Sequence, residues 1–465
     1  MRYRGFTIAI ALVALSFACA CTQSGSGFAS KYESKSLPKL KPPRVKTQVL
    51  KNGMRIYLLE DHALPIVKVG VITKAGSIYD PADEVGLANL TGMLMRSGGA
   101  GGKSPAEFDS ALDHLGAKLG SSIGHEMGNA SLQVLSGDLQ EGLGLMFDMI
   151  MKPAFDERRL AVAKQKVLES LRRQDDDPGL LASYRFKQMV YGKESPWARR
   201  PDGKSLAGID RKDIEAFHKR YFKTDNMILI AAGDFKEKDL IAAVESLTAG
   251  APKGKIVFPE VEPVKLEFGS EFEGIARPLT QSFIRMGHLS IKRHNPEKFA
   301  LFLADDILGA SGFMSRLVQD VRAKRGLAYA IWSTVSIGTD YGIFSIGVNT
   351  KASNAERVIG MVEEHLERIA VKGDITKEEL ALAKKTILAR LVFQFDSPFK
   401  VVNQQARFHF YGYPEDYWKI YRDRIAATTL KEVKAAAKKY LKPEDLEIMI
   451  VGPNSSFPKG QVGER

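Results

Sequence analysis

Apolar residues recur along the chain at two spacings, and each spacing predicts its own kind of element. Val67, Val69 and Val71 alternate with other residues, the period-two pattern of a half-buried strand. Just before them, residues 49–59 hold Asn52-Gly53, a dipeptide suited to the positive φ angles of a tight hairpin turn. Phe108, Leu112, Leu115 and Leu119 instead share one helical face. Ser104-Pro105-Ala106-Glu107 ahead of them supplies a capping box with Pro at the first helical position. Thr376-Lys377-Glu378-Glu379 opens a long helix late in the chain in the same way. Hairpins come first and helical runs follow, so the pattern predicts an α+β fold in which antiparallel-rich sheets are covered by helices.

The pattern is also written twice. Residues 160–171 (LAVAKQKVLESL) match residues 380–391 (LALAKKTILARL) at an offset of 220, with six of twelve residues identical. In the same register, Pro178 precedes Tyr191-Gly192 by thirteen residues, as Pro398 precedes Tyr411-Gly412. After a slip of one, residues 221–233 (YFKTDNMILIAAG) match residues 440–452 (YLKPEDLEIMIVG), each leaving a helix and entering an apolar strand. Two homologous domains follow, at residues 44–249 and 275–456. They are joined by a linker at 250–274 that is rich in Pro and charge and lacks helical periodicity.

The first 21 residues break the pattern. Arg2 and Arg4 form a positive end, residues 6–18 are an unbroken run of apolar or small residues, and Cys19 and Cys21 follow. Such a run spans about 20 Å as a helix, short of a ~30 Å hydrocarbon core, so it reads as a secretory signal and not as a permanent membrane span. The segment resembles a bacterial lipoprotein signal, in which Cys21 (or Cys19) becomes the lipidated N-terminus, although neither Cys has the usual Leu three residues before it and Ala directly precedes each. Residues 22–43, rich in Ser, Lys and Pro, read as a tether. The expected location is the periplasm, anchored by lipid to the envelope, with the outer membrane favoured. The chain's two cysteines both lie in the signal, so no disulfide is expected in the folded body.

Composition refines this picture modestly. With 465 residues, 44% of them hydrophobic and 26% charged, the chain is long enough for more than one core and ordinary for a globular protein. The formal charge of +12 is interspersed with acidic residues, as at 372–385, and no nucleic-acid-binding module is present, so nucleic acid is not an expected partner. The run Gly98-Gly99-Ala100-Gly101-Gly102 lacks the Lys-Ser/Thr of a phosphate loop and reads as a flexible turn. No Gly-x-Ser-x-Gly nucleophile elbow appears together with triad partners.

The hairpin with Asn52-Gly53, residues 74–79 (KAGSIY), Gly86-Leu87-Ala88 and residues 217–235 (FHKRYFKTDNMILIAAGDF) together resemble the first half of the two-domain metallopeptidases of the pitrilysin and insulinase type, the group that includes mitochondrial processing peptidase. Residues 308–317 (LGASGFMSRL) and 321–329 (VRAKRGLAY) resemble the second half. The resemblance covers nearly all of residues 45–455 and implies a processing-peptidase-like fold.

Active members of that family carry His-x-x-Glu-His on a helix just after Gly-Leu-Ala. Two His at i and i+4 share a helical face and hold Zn²⁺, and the Glu between them activates the metal-bound water. The three slots here are Asn89, Gly92 and Met93. A carboxamide, a hydrogen and a thioether cannot do this work. The family's later Glu ligand falls at Glu169 by counting and at Ser170 by local pattern. The eight histidines (His62, His114, His125, His218, His288, His294, His365 and His409) offer no replacement, because no two lie three or four residues apart. His125-Glu126 reads as a surface or strand pair, and His288 and His294 are expected to be exposed. No cofactor is expected in this chain.

What the resemblance leaves is a pair in the second domain. Arg322 and Tyr329, seven residues apart, match an Arg and a Tyr that face the zinc across the family's cleft, where a phenol O–H stabilises the oxyanion of peptide hydrolysis. The arrangement implies the non-zinc subunit of a heterodimeric peptidase acting on short or unfolded peptides, with zinc in a homologous partner chain. The strand region 121–135 resembles the edge at which active relatives add substrate as an extra strand. Two other readings stand beside this one: a structural or peptide-binding envelope protein with no role in proteolysis, and a self-sufficient enzyme using an unrecognised metal.

Overall fold

The computed structural model describes residues 43–266 and 269–460. The signal segment, both cysteines and the tether up to residue 42 lie outside the described residues. In the first half, β1 (Lys46–Val49), β2 (Arg55–Glu60) and β3 (Ile66–Thr73) precede helices α1 (Leu87–Ser97) and α2 (Pro105–His114). The hairpin of β4 (Lys118–Ile123) and β5 (Gly128–Leu135) follows. Helices α3 (Leu139–Met151), α4 (Glu157–Asp176), α5 (Pro178–Tyr191), α6 (Gly203–Gly208) and α7 (Arg211–Tyr221) lead to β6 (Met227–Gly233) and α8 (Glu237–Leu247).

The second half repeats the plan. It runs through β7 (Phe272–Ala276), β8 (Gln281–Leu289), the short β9 (Ile291–Lys292), α9 (Lys298–Asp305), β10 (Ala328–Val335), the short β11 (Ile337–Gly338) and β12 (Ile343–Lys351). Helices α10 (Ala355–Leu366), α11 (Lys377–Leu391), α12 (Pro398–Phe410), α13 (Tyr417–Ala427) and α14 (Leu430–Tyr440) precede β13 (Glu447–Gly452).

Most local signals formed as their chemistry dictates, although Leu119, expected on the helical face of Phe108 and Leu112, lies past the end of α2 on β4. Gly53 turns the β1–β2 hairpin at φ +89. Ser104 Oγ accepts from the Glu107 amide while the Ser104 amide donates to the Glu107 carboxylate at 2.8 Å. Thr376 and Glu379 make the same reciprocal pair at 3.1 and 2.9 Å. The glycine run after α1 is not a loose turn: the Gly101 amide donates to Lys152 O at 3.0 Å and the Ala154 amide to Gly99 O at 2.8 Å.

The class is α+β, and the two halves share one topology. The first sheet has the order β1-β2-β6-β3-β5-β4 and the second β10-β12-β8-β13-β7. Both are antiparallel apart from the pairs β2–β6 and β7–β13. Read from the opposite edge, the second sheet reproduces the first without β1, and β10 takes the place of the edge strand β4.

The central strands read as continuous apolar runs because the sheets are buried on both faces. On β6, Leu229 and Ala231 face the helices of their own half, whereas Ile228, Ile230 and Ala232 pack against Val402 and Ala406 of α12, from the other half. On β13, Ile450 faces its own half, whereas Met449 and Val451 pack against Leu181, Ala182, Phe186 and Val190 of α5. Helices α5 and α12 are repeat equivalents, starting at Pro178 and Pro398. Each half therefore covers the far face of the other's sheet with the same helix. Tyr191 Oη donating to Tyr341 O at 2.8 Å and an Arg293–Glu126 ion pair at 3.3 Å add polar ties between the halves.

Candidate functional site

Helix α1 carries the three degenerate positions, and its start is fixed by a buried carboxylate. Asp80 accepts from the Gly86 and Ala88 amides, both at 3.0 Å, while the Arg199 guanidinium donates to Asp80 O. Burial pushes the Asp80 carboxyl up to about 7, against the pull of those two amides and of Arg199. From this start Asn89 is exposed, Met93 is half-buried and Gly92 is buried against β4. A Cβ on Gly92 would lie 2.6 Å from the Ile123 amide nitrogen and 2.9 Å from Ser122 C, and Ser121 Oγ donates to Gly92 O at 2.5 Å. The site thus lacks a general base, and the helix also lies within contact distance of the edge strand where that side chain would emerge.

Asn89 and Met93 line a cavity of about 560 Å³ between α1, α4, α5 and the β4–β5 turn. Ser170 of α4 lines it too, whereas Glu169 is exposed and ion-paired with Arg173 at 3.9 Å. Of the two positions, the one given by local pattern faces the cavity, and it carries a hydroxyl. Gln174 approaches that hydroxyl at 3.5 Å.

Three further residues meet on the same wall, and two of them, Ser77 and Lys187, carry no signal in the sequence. Ser77 Oγ lies 3.2 Å from His125 Nδ1, and His125 Nε2 lies 3.0 Å from Lys187 Nζ. An ammonium is only a donor, so Nε2 accepts, Nδ1 carries the proton, and the Ser77 hydroxyl hydrogen is left to point elsewhere. His125 is partly open to solvent and lines the cavity. Burial, with Lys187 adding to it, holds the imidazole down to about 4. Burial also draws the Lys187 amine below the usual lysine range. His125 was flagged by its neighbour Glu126; Ser77 and Lys187 stand 48 and 62 residues away from it and are joined to it only by the fold.

The other predicted histidines divide. His294 is exposed, with its ring tilted against that of Tyr413 at 4.8 Å between centroids. His288, expected at the surface, is instead buried on β8, with Nδ1 2.7 Å from Leu289 O and Nε2 accepting from the Lys442 amide at 3.2 Å. An inward-facing strand position outweighs the polarity of the ring once both nitrogens are bonded.

In the second half, Arg322 lies on a π-helical turn over residues 318–324 that ends at Gly326 (φ +62), with its guanidinium 4.8 Å from the centre of the Phe313 ring. Tyr329 lies on the edge strand β10 at a bulge: Ala328 pairs with Thr350 and Ala330 with Asn349, so Tyr329 is the extra residue. It is 79% exposed. The cavity and this pair belong to different halves and are not brought onto one wall.

The residues at the degenerate positions do not fit zinc. A carboxamide, a thioether and a hydroxyl replace the imidazoles and carboxylate that zinc takes, and nothing replaces the base. Among the described residues no cluster of three or more His, Cys, Asp or Glu is placed to share a metal ion. Likewise, no described helix is long and apolar enough to cross a membrane.

Comparison with known proteins places this geometry. Residues 55–194 match the insulinase family (peptidase family M16), and residues 208–387 match the peptidase M16 inactive domain. A crystal structure of a peptidase M16 inactive domain from Pseudomonas fluorescens is similar at a TM-score of 0.80 and 28% identity, covering 91% of this chain and 99% of that one. A protease from Helicobacter pylori shares the fold at a TM-score of 0.78 and 19% identity, over 88% of this chain and 100% of the other. An uncharacterized zinc protease of Rickettsia felis is 25% identical over 346 residues, 74% of this chain and 82% of its own length.

Proposed function

Because this chain belongs to the insulinase-type M16 peptidase family, we propose that it is the non-zinc subunit of a heterodimeric M16 peptidase, supplying Arg322 and Tyr329 to a zinc-bearing homologous partner that cleaves short or unfolded peptides. The observation that carries this reading is the placement of Tyr329, a large phenol exposed at the bulge of an edge strand, where its own fold makes no use of it. Arg322 is exposed seven residues before it. The loss of ligand chemistry at Asn89, Gly92 and Met93 supports the same division of labour. No step of hydrolysis is assigned to the first half of this chain, since its residues do not suit the metal.

In the assembled pair, Tyr329 Oη donates to the oxygen that becomes anionic when water adds to the peptide carbonyl, and Arg322 adds a fixed positive charge and a planar donor fork. The protein is further proposed to reach the periplasm as a lipoprotein held by Cys21 (or Cys19). Coexpression with a zinc-bearing homologue and a quenched peptide tests the catalytic part. Tyr329→Phe is expected to lower turnover of the assembled pair by about 10² to 10³ while assembly persists on gel filtration. An unchanged rate removes the role, and no activity with any such partner favours a structural protein.

A further inference from the structure

The cavity beside α1 retains a chemistry of its own after the metal ligands are gone. Its wall is rich in donors. The Lys187 ammonium spends one N–H on His125 Nε2 and keeps two. Among the described residues no carboxylate pairs with it, and none pairs with Lys166 on the same wall. The Ser77 hydroxyl hydrogen is free of His125 by the argument above, and Asn89 adds a carboxamide. Carboxylates are scarce. The one carboxylate on the wall, Asp80, has both oxygens committed to the Gly86 and Ala88 amides. A site built for a cation has become one with two ammonium groups and no free negative charge.

We propose that this cavity is an anion site that binds the carboxylate of an extended peptide, held by Lys187, Lys166 and Ser77 with Asn89 beside them. A carboxylate is the fitting ligand because its two oxygens accept several donors at once and neutralise a charge that the wall leaves uncompensated. Burial has already drawn Lys187 below its usual range, a cost that a bound anion relieves. A peptide is the fitting carrier because Ile123 and Gly124, at the end of the edge strand β4, form part of the same wall. A strand added along β4 delivers its end or a side chain into the cavity. This binding belongs to the single chain. It does not depend on a zinc-bearing partner, so failure here and failure of the heterodimer are separate results.

The test uses the isolated protein and a fluorescein-labelled heptapeptide of Ala and Ser in three forms: a free C-terminal carboxylate, a C-terminal amide, and an amide with one internal Glu. Anisotropy titrations are expected to show binding of the free acid at least tenfold tighter than of the amide, with competition by sodium acetate beyond that by sodium chloride. Lys187→Gln is expected to weaken the acid about tenfold or more, the scale of one charge-assisted hydrogen bond, and to leave the amide unchanged. Binding of the Glu form in place of the free acid assigns the carboxylate to a side chain. Should Lys187→Gln fail to fold, Lys166→Gln at the exposed rim is expected to weaken the acid severalfold. Equal affinity for all three forms, or for the parent and both variants, overturns the proposal.

Discussion

The two halves share a topology and diverge at equivalent places. At the 220-residue offset, Ser170 of α4 corresponds to Arg390 of α11, and each lines a cavity in its own half. The first-half cavity, about 560 Å³, is walled by ammonium, hydroxyl and carboxamide groups around the degenerate metal positions. The second-half cavity, about 380 Å³, is walled by rings, among them Phe302, Phe408, Tyr413 and Trp418, with Arg390 tied to the buried Asp306. The edge strands differ as well. β4 is pressed against Gly92 of α1, while its counterpart β10 bulges to present Tyr329. One duplicated scaffold thus holds its sheets constant and varies the chemistry of helices and edges, because the sheets are buried on both faces and the cavity walls are not.

The comparison presumes that neither half stands alone, and the exchanged helices put that to its strongest test. Phe186→Ala in α5 is expected to lower unfolding free energy by about 3–5 kcal/mol, and Val402→Ala in α12 by about 1–3 kcal/mol. Although Phe186 belongs to the first half, hydrogen exchange should rise in β8 and β13 of the second. Protection lost only within the first half would separate the two halves as independent units.

A smaller effect probes why the first half lost its metal chemistry. Gly92→Ala alone should cost about 1–3 kcal/mol, since its Cβ meets β4 backbone at 2.6 Å. Asn89→His/Gly92→Glu/Met93→His should be destabilised further and fail to hold stoichiometric zinc by metal analysis. A triple variant with the parent's denaturant midpoint and one tightly bound zinc would break this part of the comparison.

The smallest expected effect concerns pH. Asp80 in the first half is pushed up to about 7 and Asp305 in the second to about 6, both chiefly by burial. An unfolded Asp titrates near ~4, so the folded state binds the extra proton between those values. The penalty of burying each charge is full above the folded value and fades as pH falls toward 4. Urea titrations at pH 8, 6.5 and 5 should therefore show the parent gaining about 1 kcal/mol or more over Asp80→Asn on acidification. For Asp305→Asn the gain should begin at lower pH. A difference between parent and variant that is flat across the series would remove the assignment.

Much of this is legible in the sequence. The hairpin at Asn52-Gly53, the capping boxes at Ser104 and Thr376 and the duplication at 160–171 and 380–391 are local patterns, and local patterns report directly on backbone geometry. The continuous apolar runs of β6 and β13 signalled burial but not what buried them. Nothing in residues 178–191 marks α5 as covering the far sheet, because an amphipathic face reads the same whichever sheet receives it. His288 was misplaced for a related reason: a polar ring next to a loop suggests solvent, and its two bonds inside are made only by the register of β8.

The sequence by itself determined the elements, their repetition and the absence of imidazole and carboxylate at 89, 92 and 93, because side-chain chemistry and short-range periodicity do not depend on what lies across the fold. Only the tertiary structure decided that Ser170 and not Glu169 faces the cavity, that Ser77, His125 and Lys187 meet, that α5 and α12 change places, and that Tyr329 stands out from a bulge. Those outcomes are set by sheet register and by contacts between residues tens to hundreds of positions apart, which spacing along the chain does not encode.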